Sequence, residues 1–163
     1  MSARKLGEIR YGLYASAAYL KRAAPVVTVN DLKDHDLIMK VSSGRPSWTL
    51  VNGQATETVA HTPRCLLDNI VAATNLTLSG LGIAQLPRFM AEPHVANGRL
   101  VHLLPDWAST PMPVHAVFAS TRYMDPKVRG FIDLCRDAFE HDDGESDADW
   151  EPNVAVVTEN TLG

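Results

Sequence analysis

The stretch Ser79–Met90 reads SGLGIAQLPRFM, and it predicts a short buried strand at the centre of the fold. Gly82–Leu86 is apolar except at Gln85, and Pro87 follows it directly. A short apolar run that stops at a proline is typical of a strand covered on both faces. The rest of the fold can be worked out from this strand in both directions.

A helix is predicted on each side of the strand. The preceding helix covers residues 68–80; Asp68 or Asn69 can cap its start, and Gly80 can end it. The following helix is Arg88–Ala96, with a glycine two residues later. Because strands and helices alternate in this way, the sequence predicts an α/β fold with a mixed or mostly parallel sheet.

Other strands are predicted along the rest of the chain at Arg10–Ser16, Asp36–Val41, Trp48–Val51, Gln54–His61, Leu100–Leu104 and Val114–Ser120. Asn52-Gly53 separates two of them and predicts a hairpin, since both residues tolerate positive φ. An extension of the second hairpin strand past Pro63 into Arg64–Leu67 would put Pro63 at a bulge or an edge. Short helices are predicted at Ala17–Arg22 and before His35.

The last predicted helix starts at Asp125-Pro126, with Asp125 as the cap. An apolar stripe at helical spacing predicts an amphipathic helix, and its members are Val128, Phe131, Ile132, Cys135 and Phe139. Residues 141–163 are acidic and predict a disordered tail.

The charges divide unevenly along the 163 residues. Eight of the 19 acidic residues lie at or after Glu140, where there is no Lys or Arg, so the rest of the chain carries 11 acidic and 15 basic residues. The basic residues are scattered singly or in pairs, which is not the pattern of a nucleic-acid surface. The sequence shows neither a membrane-length apolar run nor an apolar secretion signal, which favours a cytoplasmic location.

The order of these pieces resembles one family, the effector-binding (substrate-binding) domain of LysR-type transcriptional regulators. The resemblance covers roughly residues 4–139, and each motif in it is structural. The stretches that carry it are YGLYASAAYLKR at Tyr11–Arg22, TVNDLKDHDLI at Thr28–Ile38, SGLGIAQLPRFM at Ser79–Met90, GRLVHLLPDW at Gly98–Trp107 and PVHAVFASTRYMDPKVRGFIDL at Pro113–Leu134.

The resemblance implies a periplasmic-binding-protein-like (type 2) effector domain that is incomplete. Residues 12–105 would form the second lobe, whereas 1–11 and 111–140 would be remnants of the first lobe without their sheet partners, followed by the tail 141–163. The family's winged helix-turn-helix has no counterpart in the chain, so direct DNA binding is not expected. The resemblance further implies a small organic effector, no cofactor, no membrane contact and room for a homo-oligomer.

Seven residues are candidate ligand contacts because they lie at predicted strand ends or a helix start, or at a polar position within a strand: Ser16, Ser42, Ser43, Gly44, Asp68, Asn69 and Gln85. Each also has a plain structural interpretation. Ser42-Ser43-Gly44 can be an ordinary turn, Asp68-Asn69 a helix cap, Ser16 part of a hinge near the crossover between lobes, and Gln85 an outward-facing polar residue.

Two other functions stay open at this stage. The chain could be the remnant of a split or mis-started gene without activity of its own. It could also be a small α/β hydrolase that uses Cys65 or a serine, although no acid–base pair is evident. The six histidines and two cysteines fit no metal spacing, so no metal site is predicted.

Overall fold

The computed structural model describes residues 2–41, 46–118 and 125–141. The strands are β1 (Ser2–Ile9), β2 (Tyr11–Ser16), β3 (Leu37–Lys40), β4 (Trp48–Asn52), β5 (Ala55–Val59), β6 (Cys65–Leu67), β7 (Ile83–Pro87), β8 (Leu100–Leu103) and β9 (Met112–Phe118). The helices are α1 (Ala17–Arg22), α2 (Ile70–Leu78), α3 (Arg88–Ala96) and α4 (Pro126–His141), and Val29–Asp34 forms a 3₁₀ helix.

A five-stranded sheet with the order β6-β3-β7-β2-β8 is the centre of the fold. β3 is parallel to β6 and to β7, whereas β2 is antiparallel to both of its neighbours, β7 and β8. Four strands therefore point in one direction and their carboxyl ends share one edge of the sheet. Residue 10, which joins β1 to β2, lies at that same edge because Tyr11 is paired with Pro87.

Both faces of this sheet are covered, which explains the apolar run predicted at Gly82–Leu86. One face packs Leu13, Leu37 and Ile83 against the 3₁₀ helix and the β4–β5 hairpin. The other packs Tyr14, Leu86 and their neighbours against α2 and α3. Alternate residues of a strand point to opposite faces, so successive apolar residues serve two separate clusters.

The β4–β5 hairpin confirms the turn predicted at Asn52-Gly53, and Gly53 has a φ of +58°. The suggested extension past Pro63 is wrong, because β5 ends at Val59. β6 is a separate strand that pairs with β3 in the five-stranded sheet. Pairing with β3 satisfies the backbone of β6 inside the main sheet, which an extended hairpin would not do.

A second, smaller unit consists of β1, β9 and α4. β1 pairs antiparallel with β9 from Ser2↔Phe118 to Ile9↔Met112, and α4 packs on β1. The expectation that the two ends of the chain lack sheet partners is thus corrected in one respect, since each of these strands is the partner of the other. β1 was not predicted from the sequence, because half of its residues are polar or charged and they do not alternate regularly with the apolar ones.

The apolar stripe of α4 is buried only in part. Ile132 is 4% exposed, whereas Phe131 is 66% exposed and Leu134 68% exposed. Val128, another member of the stripe, is 43% exposed as well. The exposed apolar surface agrees with the expectation that residues 111–140 lack most of their packing partners. A two-stranded sheet is too narrow to cover the whole apolar face of a helix, so only the residues directly over β1 are enclosed.

Candidate functional site

A small pocket lies at the edge of the main sheet where the carboxyl ends of the parallel strands meet. Its volume is about 20 Å³, which is room for about one water molecule. It is lined by Ile38, Met39, Lys40, Leu67, Asn69, Ile70, Ala73 and Gln85. The ends of β3 and β6, the middle of β7 and the first turn of α2 thus converge on one place.

Two of the sequence-predicted residues, Asn69 and Gln85, are brought together here. Asn69 is the N-cap of α2, and its Oδ1 accepts hydrogen bonds from the backbone N–H groups of Val71 at 2.9 Å and Ala72 at 3.1 Å. The capping interpretation is therefore confirmed for Asn69. Gln85 is half-buried in β7 and reaches the pocket from the sheet.

Lys40 is a pocket residue that the sequence interpretation missed. It is the last residue of β3, it is exposed, and it lines the pocket. The available signal was its position, because Lys40 ends the apolar run of a strand whose carboxyl end faces the predicted site. It supplies a positive charge beside two side-chain amides.

The remaining candidates fall elsewhere. Asp68 is exposed beside the cap and does not line the pocket. Ser42, Ser43 and Gly44 lie outside the described residues. Ser16 is at the other end of β2, six residues beyond the junction with β1.

Ser16 is a structural cap at the opposite edge of the sheet. It is 3% exposed, pairs with Leu100, and its Oγ accepts a hydrogen bond from the N–H of Tyr19 at 3.1 Å. The expectation that Ser16 lies near the crossover is wrong, because a strand of six residues spans roughly 20 Å and carries it away from that edge. The residue that joins β1 to β2 is Arg10.

A polar cluster that the sequence did not reveal lies under α3. The Tyr14 hydroxyl donates to Glu92 Oε1 at 3.0 Å, and Glu92 pairs with Arg88 at 3.5 Å. His102 stacks on Tyr14 with ring centroids 4.8 Å apart. Burial raises the pKa of Tyr14, and the Glu92 carboxylate raises it further. Burial lowers the pKa of His102.

The described ranges contain no group of three or more His, Cys, Asp or Glu residues placed to hold a metal ion. Among the helices described, none is both long and apolar enough to cross a membrane. The chemistry that the pocket offers is thus a positive charge, two side-chain amides and an apolar floor. Such a set suits recognition of a small polar or anionic molecule.

Comparison with known proteins gives a consistent picture. The model of the LysR substrate binding domain matches residues 1–140. The transcriptional regulator PtxR of Pseudomonas aeruginosa is 33% identical over 138 residues, which cover 84% of this chain and 44% of PtxR. The chain spans less than half the length of the first three curated relatives it matches.

Solved structures agree with the fold. The regulatory domain of AphB from Vibrio vulnificus is 30% identical, with a TM-score of 0.68 over 84% of this chain and 68% of that one. The full-length virulence activator AphB of Vibrio cholerae is 28% identical, with a TM-score of 0.73 over 85% of this chain and 48% of that one. The chain therefore belongs to the LysR substrate-binding domain family, with the α/β architecture of that family's regulatory domains.

Proposed function

We propose that the chain forms one wall of an effector-binding cleft in a LysR-type regulator and that this wall holds a small organic anion. The observation that carries the proposal is the convergence on one pocket of Lys40 at the end of β3, Asn69 at the start of α2 and Gln85 of β7. Open α/β sheets bind their ligands at this edge.

The charge and the lining favour an anion with an apolar body. Lys40 can neutralise a carboxylate, and the Gln85 amide can donate a hydrogen bond to it. The exposed α2 N-terminus adds a favourable partial charge, although Asn69 already accepts from two of its N–H groups. Leu67 and Ile70 supply an apolar surface for the rest of the molecule.

The size of the pocket supports a wall rather than a complete site. Sites that enclose a small organic molecule have volumes of roughly 300–1,000 Å³, whereas this pocket measures about 20 Å³. We infer that a second surface closes over it. Under this proposal residues 12–105 are the second lobe, 1–11 and 111–140 belong to the first lobe, and 141–163 are a tail.

The output would be regulatory rather than catalytic. In this interpretation effector binding alters an assembly that contacts DNA through a separate domain, and the chain itself neither contacts DNA nor catalyses a reaction. Regulators of transcription work in the cytoplasm of bacteria, and we place the domain there.

Thermal unfolding with benzoate as the probe, and benzyl alcohol as its neutral analogue, tests the proposal. At about ten times its Kd, benzoate is expected to stabilise the chain by about 1.4 kcal/mol, and benzyl alcohol by much less. Lys40→Gln should remove most of the benzoate effect. Lys21→Gln, a matched control on the exposed surface of α1, should keep it.

The proposal fails if benzoate and benzyl alcohol stabilise the chain equally, or if Lys40→Gln and Lys21→Gln respond alike. A specific, salt-resistant complex of this chain alone with duplex DNA would contradict the proposal that a separate domain contacts the DNA.

A further inference from the structure

A continuous series of contacts joins His102 to the junction between β1 and β2. The His102 ring stacks on Tyr14 at 4.8 Å with an interplanar angle of 19°. Tyr14 donates to Glu92 at 3.0 Å, and Glu92 pairs with Arg88 Nε at 3.5 Å. The Arg88 backbone N–H donates to the Arg10 carbonyl oxygen at 2.9 Å, and Arg10 is the junction itself.

The packing at the start of this series is tight. Tyr14 is fully buried, and His102 is half-buried directly opposite it on β8. A Cβ atom at Gly12 would lie 2.7 Å from His102 Nε2 and 2.9 Å from the Tyr14 hydroxyl oxygen. Because both rings rest against the bare backbone of β2, neither can shift without moving that strand or turning away from it.

The charged groups around His102 are few and opposed. From α3, the Glu92 carboxylate favours the protonated ring and the Arg88 guanidinium disfavours it, while burial, the largest influence, lowers the pKa. From β2, Tyr14 presents its ring and its hydroxyl. α2 and β7, which pack on or beside the same face, carry no titratable side chain.

We propose that His102 is a pH-sensitive latch on the junction between β1 and β2. The neutral ring leaves Glu92 to pair with Arg88, and α3 then holds Arg10 in place. A protonated ring draws the Glu92 carboxylate toward itself and repels the Arg88 guanidinium, so the ion pair between these two residues of α3 weakens. The first turn of α3 is then held less firmly, and the backbone hydrogen bond from the Arg88 N–H to the Arg10 carbonyl oxygen opens more often. This inference rests on the proposed function in one respect, because it takes the junction between β1 and β2 as the hinge of an effector domain.

The direction of the pH effect follows from the lowered pKa. A histidine that is harder to protonate in the folded chain than in the unfolded chain favours folding above its unfolded pKa of about 6.5. That contribution is lost as the pH falls below this value, because the unfolded chain then binds more protons. The latch is therefore closed near neutral pH and loosened in mild acid.

Amide hydrogen exchange at Arg88, measured by NMR without added ligand, tests the latch. After correction for the intrinsic exchange rate, protection is expected to fall by up to about tenfold between about pH 7.5 and about pH 5.5, which is the most that one histidine with an unfolded pKa of about 6.5 can contribute. His102→Phe keeps an aromatic ring against Tyr14 and should show the same protection at both pH values. His115→Phe, on the exposed surface of β9, should retain the pH dependence of the original chain.

Equal protection of the original chain at both pH values would overturn the latch, as would an unchanged pH profile in His102→Phe. Glu92→Gln decides the matter should His102→Phe fail to fold. This variant removes the carboxylate that pairs with Arg88, so the protection of the Arg88 amide should be lower at both pH values. An unchanged pH profile in this variant would also overturn the latch. Since no effector is present, these outcomes are independent of benzoate binding.

Discussion

Gly82 lies where the chain enters β7, against the backbone that leads into β3. A Cβ atom at this position would overlap the carbonyl oxygen of Asp36 and lie 2.9 Å from its carbonyl carbon. Contacts between carbon atoms are optimal at about 3.5–4.0 Å, so Gly82→Ala must push the Asp36 carbonyl away by at least about 0.5 Å. That carbonyl accepts the hydrogen bond from the Ile83 N–H at 2.9 Å.

The cost of Gly82→Ala is the sum of two effects. Overpacking a rigid interior costs about 1–3 kcal/mol, and leaving a buried backbone group without its hydrogen bond costs about 1–3 kcal/mol. We therefore expect a loss of about 2–6 kcal/mol, a large part of the roughly 5–15 kcal/mol that stabilises a typical domain. Such a loss would unfold a marginal chain.

Urea unfolding followed by tryptophan fluorescence measures the effect, since Trp48 of β4 is 5% exposed in the core. Gly130→Ala is the matched control. Gly130 has open space around it inside α4, so alanine there should stabilise the helix by up to about 1 kcal/mol. An unfolding midpoint for Gly82→Ala equal to that of the original chain would refute the packing argument.

Three further variants test other parts of the molecule. Asn69→Ala should lower the free energy of unfolding in urea by about 1 kcal/mol because α2 loses its cap. Asp68→Ala, the control, should change it little, and equal losses for the two variants would contradict the assignment of the cap to Asn69. Ile132→Ala should lower the free energy of unfolding by about 2–5 kcal/mol, and Phe131→Ala by less than about 0.5 kcal/mol. The reverse order would mean that α4 packs on β1 through the face that carries Phe131. Hydrogen bonds from two backbone N–H groups lower the pKa of Asp31, so stability should fall as acid protonates this carboxylate; an acid-unfolding curve for Asp31→Asn that matches the original would refute its role.

Local patterns in the sequence predicted most of the elements correctly. The apolar run before Pro87 is β7, the Asn52-Gly53 pair is the tip of a hairpin, and residues 17–22 form α1. These features depend on neighbouring residues, whose turn chemistry and spacing act over short distances. The C-terminal α4 was predicted equally well because its charges and apolar residues repeat at helical spacing.

Long-range pairing could not be predicted in the same way. β1 carries Arg4, Lys5 and Glu8 and lacks the alternation of apolar and polar residues that would mark it as a strand. It is a strand because it pairs with β9, which is about a hundred residues away along the chain. Ser16 was misplaced because the direction of β2 depends on pairing with β7 and β8, which spacing along the chain does not encode. Lys40 was missed for the same reason, as its importance lies in the edge of the sheet that it shares with Asn69.

Whether this wall binds an anion can be measured by NMR titration of the side-chain amides of Asn69 and Gln85 with benzoate. Both amide signals should shift with one binding curve, in the millimolar range expected of an open half-site, while the side-chain amide signal of Asn30 should not shift. Binding energies of about 4 kcal/mol correspond to this range. Benzoate-induced shifts that leave the Asn69 and Gln85 signals unchanged, or that cluster around α4 instead, would show that the anion does not bind at this wall.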